Sequence, residues 1–265
     1  MTANETTERL RETAIAAASA GGRETLKWFR QPHGVENKAA GSGFDPVTAA
    51  DKACERVIRD HLHARFPDHA IRGEEYEDVG SGEWTWLIDP IDGTRAFISG
   101  FVHWGVLLGL LRNDEPYLGV MVQPFLDEVF VGDGHSAMYM RGGKSSKMHT
   151  RETQKLADAT FATTDPRLFE KWGDKQVLQR IENRVRLVRY GTDCYQYTMV
   201  ALGQLDLVVE NVLKPWDILP LVPIVRGAGG VLTNWQGGDD LSAGEVVASA
   251  NQLIHEQALV CLQGE

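Results

Sequence analysis

Trp86-Leu87-Ile88-Asp89-Pro90-Ile91-Asp92-Gly93-Thr94 reads as an apolar strand that ends in two carboxylates beside a turn. A strand end held against a turn fixes an acid rigidly and still lets it reach a cleft. Asp89 and Asp92 can then converge on a hard cation, which takes oxygen ligands in near-octahedral array, with water and a substrate phosphate in the remaining positions. Pro90 removes a competing amide donor, and Gly93 lets the backbone approach a phosphate closely. If Thr94 opens a helix, the amides of Gly93 and Thr94 form an anion site. Asp, Pro and Gly are also standard turn formers, so the stretch alone is equally compatible with a plain turn.

Working outward, three further acids favour the cation. Gly73-Glu74-Glu75 precedes the strand. Asp51 heads a stripe of Cys54, Ile58, Leu62 and Phe66 on a helix that begins near Thr48, so it faces inward from the first turn. Asp217, in Trp216-Asp217-Ile218, opens another apolar helix with Leu221 and Val225, although a helix N-cap is its other natural role. Acids at the mouths of apolar elements need partners, and few bases lie beside these.

The rest of the chain divides near residue 150. In 1–150, a helix over 8–29 with Leu10, Ala14, Ala17, Gly21, Thr25 and Trp28 at helical spacing precedes a Gly-rich mobile loop over 31–43. The second helix follows. Strand-like runs at 84–88, 104–111, 117–122, 128–131 and 137–140 then form an α+β half with a largely antiparallel sheet. In 151–265, strands at 160–163, 186–190, 205–210, 230–235 and 245–248 alternate with helices at 166–183, 194–202 and after Trp216, an α/β half.

Composition narrows the partners. The 265 residues are 43% hydrophobic and 24% charged, an ordinary globular balance. Lys plus Arg number 27 against 37 Asp plus Glu, a formal charge of −10, which argues against a nucleic-acid backbone or anionic membrane as main partner. An anionic small substrate would need a local device such as a bound cation. Cys54, Cys194 and Cys261 form no CxxC pair, which argues against a disulfide framework and for a reducing compartment. With charges through the first twenty residues and no long apolar run, the expected location is the cytoplasm. The eight histidines show no metal-ligand spacing and read as surface or core residues.

Taken together, Asp51, Glu74-Glu75, Asp89-Pro90-Ile91-Asp92-Gly93-Thr94, Trp216-Asp217 and Gly229-Gly230 resemble the inositol monophosphatase superfamily over nearly the whole chain. The resemblance implies a layered α/β/α/β/α sandwich, homodimers, and Mg²⁺-dependent hydrolysis of a phosphate monoester with two or three ions per site. It implies Glu74, Asp89 and the Ile91 carbonyl at one ion, and Asp89, Asp92 and Asp217 at a second. Most metal ligands would thus come from 1–150, and Asp217 with the substrate-selecting residues from 151–265. A metal-activated water would be the nucleophile, oriented by Glu74 and Thr94 with Asp51 supporting Thr94, and Asp92, Gly93 and Thr94 would hold the phosphate. No Ser, Cys or His nucleophile is required.

The run Gly191-Thr192-Asp193-Cys194-Tyr195-Gln196-Tyr197, with Thr94-Arg95-Ala96-Phe97 and Ala162-Thr163-Thr164, is similar to the histidinol-phosphatase branch. Asp193 and Glu210 would favour a substrate that carries a cation, and Arg189 matches a substrate-contacting arginine. Asp193 as a helix cap and Arg189 as an ion-pair partner are the plainer roles. Lys38-Ala39-Ala40 departs from the branch, many members of which carry an acid near Ala40, and this bears on the third metal position. The expectation is L-histidinol-phosphate phosphatase, a step of histidine biosynthesis. An inositol-1-phosphatase or broad monoester phosphatase is the alternative, and a non-catalytic phospho-ligand binder is the rival from another class.

Overall fold

The computed structural model describes residues 3–31, 35–37, 46–172 and 174–264. Most of the loop expected over 31–43, including Lys38-Ala39-Ala40, lies outside these residues. Within it, Val35–Asn37 (β1) pairs antiparallel with Pro46–Thr48 (β2), a short ribbon where the composition suggested no strand. Two helices bracket that ribbon, α1 (Ala3–Thr25) and α2 (Ala49–Arg65). Gly21 is where they approach: a Cβ there would lie 2.7 Å from Ile58.

Seven strands form the first sheet: β3 (Ala70–Gly73), β4 (Trp84–Asp92), β5 (Gly105–Arg112), β6 (Glu115–Gln123), β7 (Glu128–Gly132), β8 (Ala137–Arg141) and β9 (Lys144–Lys147), in that spatial order. Only the β3–β4 pair is parallel, and a five-residue helix, α3 (Thr94–Ile98), interrupts the path from β4 to β5. Strand alternation sorts the core. Val106, Leu108, Leu110, Val120 and Val122 pack with Leu10, Ala14, Cys54, Ile58 and Leu62 of α1 and α2, while Leu107, Met121 and Phe130 face the other way.

The second sheet, of five strands, follows a single turn of 3₁₀ helix at Leu156–Asp158. It contains β10 (Thr160–Thr163), β11 (Leu187–Tyr190), β12 (Leu207–Glu210), β13 (Val231–Thr233) and β14 (Val246–Ser249), ordered β11-β10-β12-β14-β13. The β10 pairs are parallel and the β14 pairs antiparallel. On its outer face lie α4 (Pro166–Lys171), α5 (Lys175–Glu182) and α9 (Gln252–Gln263). Between the sheets lie α6 (Tyr195–Ala201), α7 (Pro215–Ile218) and α8 (Val222–Gly227). The layers run helix, sheet, helix, sheet, helix, a mixed α+β architecture.

The middle layer sits close because Gly109, Gly119 and Gly132 stand opposite one another on β5, β6 and β7. A Cβ on Gly119 would fall 1.8 Å from the Pro220 carbonyl oxygen, and one on Gly132 2.5 Å from that of Pro223. The continuous helix expected over 166–183 is two pieces, α4 and α5. The terminal helix α9 was missed by the sequence reading, although Asn251 before an apolar stripe marks it: its Oδ1 accepts the Ile254 amide at 3.1 Å.

Candidate active site

Asp89 pairs with Leu107 and Asp92 with Gly105, so three steps along β4 answer to two along β5. In an unbroken strand, residues three apart face opposite ways. The extra residue at Pro90-Ile91 turns Asp92 to the side that Asp89 faces, and both line one cleft of about 880 Å³. Gly93 leaves the strand at φ 84°, where a Cβ would come within 2.8 Å of the His103 carbonyl oxygen. α3 begins at the next residue, and its first amides have no acceptor within their own helix. Thr94 Oγ1 donates to the Ile91 carbonyl at 3.0 Å, and the Ile91 amide donates to Asp89 Oδ1 at 3.1 Å.

Glu74, Asp193, Glu210 and Asp217 reach the same cleft from distant parts of the chain. Glu74 follows β3, and its amide donates to the Ile88 carbonyl at 3.3 Å. Asp217 lies in α7 and accepts the Lys214 amide at 2.8 Å. The two halves of the site touch where the Cys194 amide donates to Asp92 Oδ2 at 2.5 Å. Glu210, at the end of β12, is buried and accepts the Thr164 amide at 3.0 Å and the Tyr197 hydroxyl at 2.7 Å. Asp193 adopts φ 38°, a left-handed conformation that Asp tolerates better than most side chains.

So many carboxylates in one cleft suppress each other's ionisation. Burial first, then Glu74, Asp92, Asp217 and Asp51, drives the Asp89 pKa well above the usual carboxylate range. Burial and the neighbouring Asp193 push Asp92 up to about 8, partly offset by the Cys194 hydrogen bond. Burial and Asp92 push Asp217 up to about 8. Asp193 rises to about 7 through burial and Glu210, against the pull of Arg95. Cys194 also lines the cleft, yet burial and Asp92 raise its thiol well above the ordinary value, so it is no thiolate near neutrality.

Among the described residues, no Lys or Arg forms an ion pair with Asp89, Asp92 or Asp217. Nor, among the described residues, do three or more His, Cys, Asp or Glu stand as a group placed to hold a metal ion. The donor set nonetheless fits a hard divalent cation in its chemistry: it is all oxygen, lines one cleft, and its Asp89, Asp92 and Asp217 have no Lys or Arg paired with them among the described residues. Among the described residues, no histidine lines the cleft.

Two of the residues singled out in the sequence stand apart. Asp51 is 2% exposed and lies behind the cleft wall, near enough to raise the Asp89 pKa. Arg189 is exposed on β11, the edge strand of its sheet, and does not line the cleft. Sequence reading gave no role to Arg95, Thr164, Asp165, Tyr197 or Lys214, all of which line it. Tyr197 could have been found, since it stands four residues beyond Asp193 on a helical spacing. Arg95 and Asp165, 4.0 Å apart, are distant in sequence and carry no local signal.

Comparison with known proteins gives the family. The inositol monophosphatase family model matches residues 6–263. The chain belongs to the inositol monophosphatase family. As a member of it, the protein is a phosphoric monoester hydrolase. It is 36% identical to the bifunctional phosphatase IMPL2, chloroplastic, of Arabidopsis thaliana, over 97% of this chain and 75% of that one. It is 31% identical to a histidinol-phosphatase of Chlorobaculum parvum, over 95% of each chain. An inositol monophosphatase of Zymomonas mobilis superposes with a TM-score of 0.84 at 36% identity, covering 99% of this chain and all of that one. The layered fold is therefore that of the inositol monophosphatase family. No helix among the described residues is long and apolar enough to cross a membrane.

Proposed function

We propose that the chain is a Mg²⁺-dependent L-histidinol-phosphate phosphatase. The observation that carries the substrate is the acid-rich end of the cleft, where Asp193 and Glu210 stand beside Asp92. An inositol ring offers only hydroxyls, whereas histidinol phosphate offers an ammonium group and an imidazole. Arg95 offsets only part of what burial and Glu210 do to the half-buried Asp193, so this carboxylate gains from a substrate that brings a cation. Glu210 already accepts hydrogen bonds from the Thr164 amide and the Tyr197 hydroxyl, which fix its carboxylate in place. The histidinol-phosphatase of Chlorobaculum parvum supports the same reading.

In this proposal Glu74, Asp89, Asp92, Asp217 and the Ile91 carbonyl hold the metal. Mg²⁺ bound there would neutralise phosphate charge and acidify water. The chain's own groups do the rest. The Gly93 and Thr94 amides and the Thr94 hydroxyl bind phosphate oxygens, and the Glu74 carboxylate takes the proton of the attacking water. Asp51, from behind the wall, supports Thr94. Arg95 and Lys214 at the cleft favour entry of an anion into an acidic protein.

The test is phosphate release from L-histidinol phosphate and inositol 1-phosphate side by side, with Mg²⁺ and with EDTA. A Mg²⁺-dependent preference for histidinol phosphate in kcat/KM is expected. Preference for inositol phosphate would overturn the cation-recognition reading and leave the metal chemistry standing. That second reading draws on the name of the Zymomonas mobilis neighbour.

A further inference from the structure

Glu55 is an acid that the proposed chemistry does not use. It lies on α2 one turn beyond Asp51, and its side chain is 0% exposed. Its Oε1 accepts Arg59 Nε at 2.8 Å, and its Oε2 accepts the amide of Glu75 at 2.8 Å. Arg59 in turn donates to the Tyr76 carbonyl at 3.2 Å, and the Tyr76 hydroxyl donates to the Lys52 carbonyl at 3.1 Å. One face of α2 thus runs beneath the whole segment Gly73-Glu74-Glu75-Tyr76.

The glycine in that segment records the same contact. A Cβ on Gly73 would lie 2.2 Å from Glu55 Oε1 and 2.6 Å from its Cδ. The carboxylate occupies the space that any side chain at position 73 would need. Glu74 is consequently held on both sides: its own amide on Ile88 of β4, and the following amide on Glu55. An ordinary i,i+4 pair that only stabilised the helix would gain nothing from full burial of its carboxylate, which costs that charge its hydration. Here the second oxygen bonds outside the helix, to the backbone next to Glu74.

We propose that Glu55 is a positioning residue that sets the direction of Glu74 into the cleft. This rests on the reading of Glu74 as a cation ligand. Groups that orient a metal-ligating carboxylate typically cost 10- to 100-fold in metal affinity when lost, on the order seen for outer-shell partners generally.

The experiment is calorimetric titration of the metal-free full chain with Mg²⁺, in the absence of substrate. Glu55→Gln keeps the shape, but one end of its amide cannot accept, so Arg59 and Glu75 cannot both be satisfied. Its Mg²⁺ affinity is expected to fall about 10-fold or more, while kcat at saturating Mg²⁺ changes far less. Ile58→Val, on the same helix but facing the core, is expected to lower the melting temperature and leave Mg²⁺ affinity unchanged. Should Glu55→Gln fail to fold, Gly73→Ala displaces the carboxylate from the other side and is expected to show the same loss. Wild-type affinity in the variant that folds would overturn the positioning role alone. A wild-type chain that takes up no Mg²⁺ would overturn the metal reading and the positioning role together.

Discussion

Asp193 and Cys194 are neighbours in the chain and opposites in the chemistry proposed for them. Asp193→Ala is expected to lower kcat/KM for histidinol phosphate by about 10- to 100-fold, mostly through KM, because a charged hydrogen bond to the ammonium is lost. The same change should barely affect inositol 1-phosphate, and equal losses on both substrates would refute cation recognition. Cys194→Ala should leave kcat near wild type, since its thiol is kept protonated beside Asp92. A loss comparable with that of Asp89→Asn, expected at about 10²-fold or more, would show that sulfur takes part. The acids that line the cleft were largely legible from the sequence, because Asp89, Asp92 and Asp217 stand beside apolar runs where an acid has no place in a core. Arg95 was not legible as a cleft residue, because what makes it so is contact with Asp165 across separate elements.

The glycine track on β5, β6 and β7 decides how closely the middle layer approaches the first sheet. Gly119→Ala must drive back the Pro220 carbonyl and is expected to destabilise the fold by about 1–3 kcal/mol or more. Chemical denaturation checks this, and a change below a few tenths of a kcal/mol would mean that the segment joining α7 to α8 yields freely. Because α7 carries Asp217, the variant should also weaken Mg²⁺ binding. From sequence, an isolated strand glycine announces close approach or a bulge. It does not name the backbone that approaches. The elements themselves were mostly readable: β4 to β8 each fall within a few residues of the apolar runs. The single helix expected over 166–183 and the unnoticed α9 are failures of boundary and cap reading.

At the scale of the molecule, the acid cluster makes stability depend on pH, and the proposed metal would be linked to the same groups. The folded-state pKa values of Asp92 and Asp217, about 8 each, lie above their unfolded values near 3.8. The folded chain therefore binds more protons in between, and stability falls as pH rises through that window. Buried His255 acts in the opposite sense: burial lowers its pKa to about 4, so its stabilising share is lost as pH falls from the unfolded value of 6.5. Between roughly pH 6.5 and 8 the carboxylate slope is unopposed by His255. The EDTA-treated protein should melt at a lower temperature at pH 8 than at pH 6.5. Mg²⁺ should raise the melting temperature more at pH 8, and an equal gain at both values would contradict the coupling of these acids to the metal.

The amino-acid sequence by itself determined the order of the elements, the acids at their ends, and a charge balance that makes an unassisted anion site implausible. Those are local properties, set by periodicity and by the few residue types that can stand where an element stops. Tertiary structure decided which acids share a cleft. Asp92 meets the Cys194 amide across 102 positions of chain, and the bulge at Pro90-Ile91 decides that Asp92 faces with Asp89 rather than away. It likewise left Arg189 on an exposed edge and put Glu55 beneath Glu74. Convergence of distant side chains follows from how sheets and helices stack, and no short stretch of sequence contains that information.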